Sequence, residues 1–360
     1  MKKVLIVITT GFAPYGGLTS VMLNYFRNMN RDGLQIDFAS TNDPDTELVL
    51  ELKEAGAEYY NLGDRKSGLV TYLSNLKRIL RKNKYDVIHV NGNSATMVFE
   101  LLVACFCGVK TRIAHGHTTQ SDYPSLHKIL YPVFKMTYTD AISTSRKGGD
   151  WLFKSNYVVL NNAIDVEHYQ YSEIKREEVR RLLKLNNKFV IGNVGKLNRT
   201  KNHAFLIDVF EALQKKRTDA VLVIAGGGPL ENDLKKKCEE KGIKDKVLFL
   251  GMLNDVSDIL QAIDIFVFTS VFEGLGMALI EAQAAGLECV SSDVVPKETK
   301  VTEHIKYISL NEEPQKWAEE ILKNCEYDRC KYSQEAAISI RDNGYDIKRE
   351  VENLERMYKK

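Results

Sequence analysis

Net charge is nearly absent from this sequence: 50 Lys and Arg stand against 48 Asp and Glu, leaving +2 over 360 residues. A surface built to seek a polyanion carries a marked excess of one sign, so nucleic acid is excluded as the main ligand. Paired cysteines are missing too. Six cysteines occur, none in a Cys-x-x-Cys pair, and Cys105 and Cys107 sit inside the apolar run "VFELLVACFCGV". That excludes a disulfide framework or a zinc site and fits a reducing cytoplasm. No run is long enough to cross a bilayer, because the stretch around Met97 to Val109 contains Glu100 and falls short of the ~20 apolar residues required. The start, "MKKVLIVITTGFAP", breaks at Thr9-Thr10-Gly11 without a small-x-small cleavage site close behind, so it reads as a first β-strand rather than a signal peptide. The expectation is a soluble, cytoplasmic protein. Gly-x-Gly-x-x-Gly is also absent, which excludes the dinucleotide fingerprint.

What is present is alternation. In the first half "KVLIVIT", "LQIDFAS", "YDVIHVNG", "TRIAHGH" and "DAISTS" read as strands, with helical patterns such as "TSVMLNYFRNMN" and "VTYLSNLKRILRKN" among them. From about residue 189 the rhythm restarts with "KFVIGNVG", "AVLVIAGGG", "KVLFLG", "IFVFTS", "ECVSS" and "IKYISL". Alternation of this kind predicts parallel sheets built from β-α-β units. Between the halves, "DVEHYQYSEIKREEVRRLLKLNN" is highly charged and strand-free, which suits a boundary. The fold class is therefore α/β, with two Rossmann-like doubly wound domains facing across a crevice, where loops at the carboxyl ends of the strands carry the chemistry. The expected division is residues 1–165, a linker over 166–188, a second domain over 189–342, and an amphipathic helix over 343–360.

Five stretches at such loops hold reactive or ligand-binding types. "YGGLTS" offers Gly16 and Gly17 before a helix whose N-cap is expected at Thr19 or Ser20, either a plain tight turn or a place where backbone meets a phosphate. "VGKLNRTKNH" gathers Lys196, Arg199 and Lys201 at a strand end, suited to a pyrophosphate and otherwise a solvated basic loop. In "AHGHT", His115 and His117 alternate and are expected to point to opposite faces, so that only one reaches a ligand and the pair is a poor metal site. "AGGGPL" places Gly226, Gly227 and Gly228 in a strand-to-helix connection whose plainest reading is structural. Finally, "VFEGLGMALIE" sets Glu273 in a loop and Glu281 on the helix that follows. Eight residues of continuous helix would turn the two carboxylates about 80° apart, so they contact different parts of one ligand. Carboxylates accept from hydroxyls, in which sugars and ribose are rich. The N–H groups of Gly274, Leu275, Gly276 and Met277 offer a phosphate cradle.

Glu-x7-Glu, with the preceding "GKLNRTKN" and "AGGGPL" and the earlier "YGG", "HGHT", "STS" and "NNAID", resembles the retaining nucleotide-sugar glycosyltransferases of glycosyltransferase family 4 over nearly the whole chain. The likeness is to members that build bacterial capsular and extracellular polysaccharides. It implies the GT-B architecture, transfer from a nucleotide sugar, with UDP favoured, to a glycan acceptor that is lipid-linked, and retention of anomeric configuration by front-face substitution. No metal and no cofactor is implied. Lys196 and Lys201 match the diphosphate-holding positions, Glu273 the carboxylate at the donor sugar, and Glu281 the one at the ribose. Gly17 belongs to the loop near the diphosphate, and His117 looks like the histidine near the reacting sugar, with His115 as second choice. Arg199 and Gly227 are secondary candidates. Two departures stand out: Lys196 replaces an Arg and so loses a bidentate fork, and Glu288 stands where a Pro is common, with a loop effect expected.

The same residues admit rivals. A nucleotide-sugar epimerase or hydrolase on this architecture would act without an acceptor. A non-catalytic nucleotide-binding partner subunit would be indifferent to Glu273→Ala. A glycoside hydrolase using Glu273 and Glu281 as acid and base leaves the phosphate-binding features without purpose. For the acceptor side, "NLKRILRKNK", with Lys77, Arg78, Arg81, Lys82 and Lys84, and "HKILYPVFKMTY" are the candidate contacts with an anionic membrane at its inner face; for the first, a solvated helix face is the competing reading.

Overall fold

The computed structural model describes residues 1–13, 17–44, 46–323 and 327–360, and divides the chain into two compact units. Unit 1 comprises Met1–Ala163 with Gly344–Lys360, and unit 2 comprises Ile164–Asn343.

Unit 1 holds β1 (Lys2–Ile8), β2 (Leu34–Ser40), β3 (Tyr59–Asn61), β4 (Val87–Gly92), β5 (Thr111–Gly116), β6 (Asp140–Ser143) and β7 (Val158–Val159). They form one parallel sheet in the order β3-β2-β1-β4-β5-β6-β7. The central β1 is buried from Val4 to Ile8. Helices cover both faces of a parallel sheet, so its middle strands are apolar throughout rather than alternating. One core cluster runs from Val4, Ile6 and Ile8 to Phe26, Leu354 and Tyr358. The other runs from Leu5 and Val7 to Leu76, Leu101 and Phe134 on the opposite face. The helix Ile347–Lys359 packs on the helix Gly17–Asn28 and on β1, burying Ile347, Val351, Leu354 and Tyr358.

Unit 2 holds β8 (Phe189–Val194), β9 (Ala220–Ala225), β10 (Val247–Phe249), β11 (Ile265–Phe268), β12 (Glu288–Ser292) and β13 (Ile305–Ile308). Their order, β10-β9-β8-β11-β12-β13, is parallel throughout and repeats the scheme of unit 1. In both sheets the chain winds outward in one direction and then restarts in the other, so the order reverses between β1 and β4 and again between β8 and β11. The loops after those strands are where ligands are bound in open α/β sheets. Residues 166–188, expected as a linker, are helical at Val166–Tyr169 and Glu173–Leu182 and pack within unit 2.

The two strands that the pattern did not flag, β3 and β7, are three and two residues long and too short to show a period. Glu288 opens β12, the strand end remote from the ligand loops, and lies 3.5 Å from His304 Nδ1. The expected loop effect is therefore replaced by a strand-edge pairing.

Candidate active site

In unit 2 the loop after β8 is fixed before it reaches its cations. β8 and β11 pair only through Ile265↔Ile191 and Phe266↔Gly192. Beyond that the Asn193 side chain bridges the gap, donating to Val267 O at 2.7 Å while its Oδ1 meets His203 Nε2 at 2.9 Å. Burial, and then the charge of Lys201, hold His203 down at a pKa of about 4, so it is a neutral structural histidine. Thr269 Oγ1 donates toward Lys201 O and Asn202 O, and Val271 N–H to Thr200 O at 2.8 Å. The loop is thus stitched to the end of β11. The glycine turn after β9 supplies the floor. A Cβ on Gly226, whose φ is +145°, would lie 2.0 Å from Gly195 O, and one on Gly228 2.4 Å from Leu197 O. Gly227 accepts from Leu197 N–H at 3.0 Å. Backbone-to-backbone packing is therefore the reason for Gly226 and Gly228, while a Cβ on Gly227 would meet the Met252 side chain at 2.7 Å, in line with the structural reading of that turn.

On this platform Lys201 Nζ lies 2.6 Å from Glu273 Oε1, and Ser270 Oγ donates to the same oxygen at 2.6 Å. The ammonium also lies over the Phe268 ring, 4.8 Å from its centroid. Lys196 and Arg199, by contrast, are exposed, and their side chains have no hydrogen-bonding or ionic partner among the described residues. Gly276, with φ +92°, caps the helix Met277–Ala284, a left-handed conformation that favours glycine. No hydrogen bond among the described residues occupies the N–H groups of Gly274, Leu275 or Gly276. A helix start with open amides beside a lysine is an anion site in its electrostatics.

Glu281 lies on the second turn of that helix, half-buried, and receives the Tyr169 hydroxyl. Burial pushes its pKa up to about 7, with the charge of Asp255 adding to the shift and Tyr169 and Lys201 opposing it. Tyr169 comes from the segment expected as a linker, and Ser270 from the loop start. Neither was singled out from sequence, since their proximity is created by packing; the position of Ser270 three residues before Glu273 is the one local signal.

In unit 1, Gly16 lies outside the described residues. Gly17 is the first residue of the helix Gly17–Asn28, so the expected N-cap at Thr19 or Ser20 is corrected: both fall inside the first turn. Thr19 is instead buried, with its Oγ1 accepting from Ala13 N–H at 3.2 Å and donating to Gly11 O at 3.3 Å, which pins the loop after β1. A Cβ on Gly17 would meet nothing within 4 Å. With Thr10, Gly11 and Asn42 it lines a pocket of about 320 Å³.

The expectation that His115 and His117 point to opposite faces is wrong. Their ring centroids are 4.0 Å apart, because residues two apart along a strand share a face. His115 is fully buried and His117 partly so. His117 Nε2 is 2.9 Å from Asn91 Oδ1, and His115 Nδ1 is 3.1 Å from His89 Nε2. Burial holds His117 and His89 down at about 3, aided for His117 by the charge His89 would carry, and drives His115 well below its ordinary value. All three rings are neutral at physiological pH.

Two family models match the chain: Glycosyltransferase Family 4 over residues 15–168 and Glycosyl transferases group 1 over residues 174–338. The chain is similar to the putative glycosyltransferase EpsF of Bacillus subtilis (strain 168), 27% identical across 95% of this chain and 93% of that protein. It is similar also to the UDP-Gal:alpha-D-GlcNAc-diphosphoundecaprenol alpha-1,3-galactosyltransferase of Escherichia coli, 30% identical across 62% of this chain and 61% of the relative. Among solved structures, Anabaena HepE in complex with UDP matches with a TM-score of 0.78 at 18% identity, over 100% of both chains. At that identity the likeness is one of fold.

Proposed function

This chain is a glycosyltransferase of GT-B architecture belonging to the family 4 and group 1 enzymes, and from that premise we propose that it moves a sugar from a UDP-sugar to a lipid-linked glycan with retention of anomeric configuration. The observation that carries the proposal is the Lys201–Glu273 pair beside the open amides of Gly274 to Gly276, with Glu281 one helical stretch away. A cation, a row of free N–H groups and two separate carboxylates suit one diphosphate flanked by two hydroxyl-rich rings. The name of the E. coli relative and the UDP bound in HepE support uridine as the base.

In this reading Lys201, Lys196 and the 274–276 amides take the diphosphate, Glu273 accepts from hydroxyls of the transferred sugar, and Glu281 from those of the ribose. The bond between the anomeric carbon and the β-phosphate oxygen breaks while the acceptor hydroxyl bonds to the same face of that carbon. Its proton passes to the leaving diphosphate. Lys201 and the amides stabilise the negative charge that gathers there, the task a divalent cation performs in other transferases, so transfer proceeds without metal. The family resemblance assigns His117, in unit 1, to the reacting sugar.

The acceptor side falls to unit 1. Its helix Pro124–Thr137 exposes Leu126, Ile129, Val133 and Met136, a stripe at helical spacing with Lys128 and Lys135 on the same helix. The helix Leu69–Asn83 exposes Lys77, Arg78, Arg81 and Lys82 with Val70 as its one exposed large apolar residue. The first pattern inserts at a lipid interface, while the second is a solvated charged face. Peripheral membrane contact is assigned to Pro124–Thr137.

A thermal-shift panel of UDP, GDP, ADP and their sugars tests the donor site, because a ligand at 100 times its dissociation constant stabilises by about 2.7 kcal/mol. UDP and one UDP-sugar should shift the transition, and silence with every nucleotide would sink the proposal. Anomeric NMR of the product and activity in EDTA test retention and metal independence. Cosedimentation with anionic vesicles should weaken in Ile129→Glu/Met136→Glu.

A further inference from the structure

Beneath the apolar face that the helix Ile347–Lys359 covers lies a line of polar side chains without a single charge. Tyr358, His89, Asn91 and His115 are each 0% exposed. Their order is set by the parallel register: Asn91 is level with His115, and His89 lies one pair back on the same face. Tyr358 Oη is 2.6 Å from His89 Nδ1, His89 Nε2 is 3.1 Å from His115 Nδ1, and His115 packs at a tilt of 35° on His117, which reaches Asn91 Oδ1. His115 Nε2 is buried with no partner among the described residues.

The contact with Asn91 determines the proton of His117. Asn91 Nδ2 faces two carbonyl oxygens, Val7 O at 3.5 Å and His89 O at 3.4 Å, so Oδ1 is the atom at His117 and accepts from His117 Nε2–H. His117 Nδ1 is then a bare lone pair, able to accept from a hydroxyl. The Tyr358–His89–His115 chain can run in two directions. Either His115 Nδ1–H donates to His89 Nε2 and His89 Nδ1–H to Tyr358 Oη, which leaves the Tyr358 hydroxyl proton without an acceptor among the described residues, or Tyr358 O–H donates to His89 Nδ1 and His89 Nε2–H to His115 Nδ1, which leaves His115 Nε2–H without one. In both, His89 and His115 carry their protons on the same nitrogen and the rings are held in the same place.

We propose that Asn91, His89 and Tyr358 are positioning residues for His117: Asn91 selects the tautomer that presents Nδ1 as an acceptor to a sugar hydroxyl, and the Tyr358–His89–His115 chain locks the ring against which His117 packs. The proposal rests on the reading of His117 as the histidine at the sugar. The tautomers follow from unit 1 alone and stand whatever the protein transfers.

Long-range ¹H–¹⁵N spectra of the full chain labelled at histidine, assigned by single His→Gln variants, read the tautomers directly. The expected set is His117 protonated at Nε2, with His89 and His115 protonated at the same nitrogen as each other. Asn91→Leu should leave His117 mixed and lower kcat at least tenfold with a smaller change in KM for the donor; Asn91→Asp, which retains an acceptor, should restore the tautomer and most of kcat. Tyr358→Phe, which removes the partner of His89 Nδ1, should leave His89 in the Nε2 form. An Nδ1-protonated His117, or His89 and His115 protonated at opposite nitrogens, overturns the tautomer chain. Expected tautomers with full kcat in Asn91→Leu overturn the positioning role, and equal losses in the Leu and Asp variants reduce Asn91 to a packing residue. Correct tautomers in a protein with no transferase activity would instead fail the functional reading and leave the hydrogen-bond chain intact.

Discussion

Unit 2 and unit 1 repeat one strand order and fill its equivalent loops with opposed chemistry. After β8 and β11, unit 2 gathers Lys201, Glu273 and Glu281, an ammonium and two carboxylates. After β1, β4 and β5, unit 1 gathers glycine, asparagine and histidines held neutral by burial. Topology decides where a ligand loop falls, and the residue types decide what it can hold. Charges and open amides suit an anion that gains charge as it leaves. Neutral donors and acceptors suit a group that must be oriented without being ionised.

The sharpest break in that contrast is Glu273→Gln, which removes a charge from unit 2 while keeping its shape. Transfer should fall by about 10²–10³-fold, as when one positioned transition-state partner is lost, while UDP affinity, by calorimetry, stays within about tenfold, since Lys201 loses a competitor for the phosphate. A parallel loss of both would make Glu273 a structural partner of Lys201 only. Next, Lys201→Met should weaken UDP by about 10- to 100-fold, the worth of a charge-assisted hydrogen bond. The exposed Lys196→Met should cost several-fold at most, and that loss should vanish in 0.5 M salt.

The third test is pH. To accept from ribose, Glu281 must be ionised, and its carboxyl is raised from the ordinary 4.5 to about 7. UDP affinity should therefore climb about tenfold per unit below pH 7 and level off above it, and Glu281→Gln should flatten that slope after the phosphate's own titration is subtracted. The free protein follows the opposite sign. Its raised carboxyl costs stability progressively from pH 4.5 to about 7 and fully above, so Glu281→Gln should raise Tm at pH 8 and leave it unchanged at pH 4. The smallest effects are at the glycines. Gly276→Ala, at φ +92°, should cost about 1 kcal/mol in denaturant unfolding, whereas Gly274→Ala and Gly17→Ala, with open space at the Cβ, should cost almost nothing.

Much of this was legible in the linear pattern, and its limits are instructive. The long β-branched runs announced the central strands, and the glutamates and basic loop announced themselves by type and by position at strand ends. Short edges such as Tyr59–Asn61 had no room for a period. Thr19 was mistaken for a cap because its hydroxyl has a cap's chemistry, yet it serves the loop six to eight residues back. The histidine pair was misread through a wrong application of strand periodicity. The same period, applied correctly to His89 and Asn91 in "VIHVNG", would have placed four polar side chains on one face. Tyr169 and Tyr358 lay beyond sequence reasoning, since each meets its partner only after more than a hundred intervening residues have packed.

The helix Ile347–Lys359 has a last consequence, and it concerns the order of folding. Unit 1 is discontinuous: Ile164–Asn343, 180 residues, is threaded between its main body and this helix. Closing an unstructured loop of that length costs about 4–5 kcal/mol of chain entropy. Unit 2 removes most of that burden by folding, because its own two ends meet, with Glu167 Oε1 lying 3.5 Å from Arg341 Nη2. During synthesis the part of the unit 1 sheet that this helix covers should therefore stay open until unit 2 has folded and delivered it. A lesion confined to the core of unit 2 should thus appear first as exposure and proteolysis of unit 1.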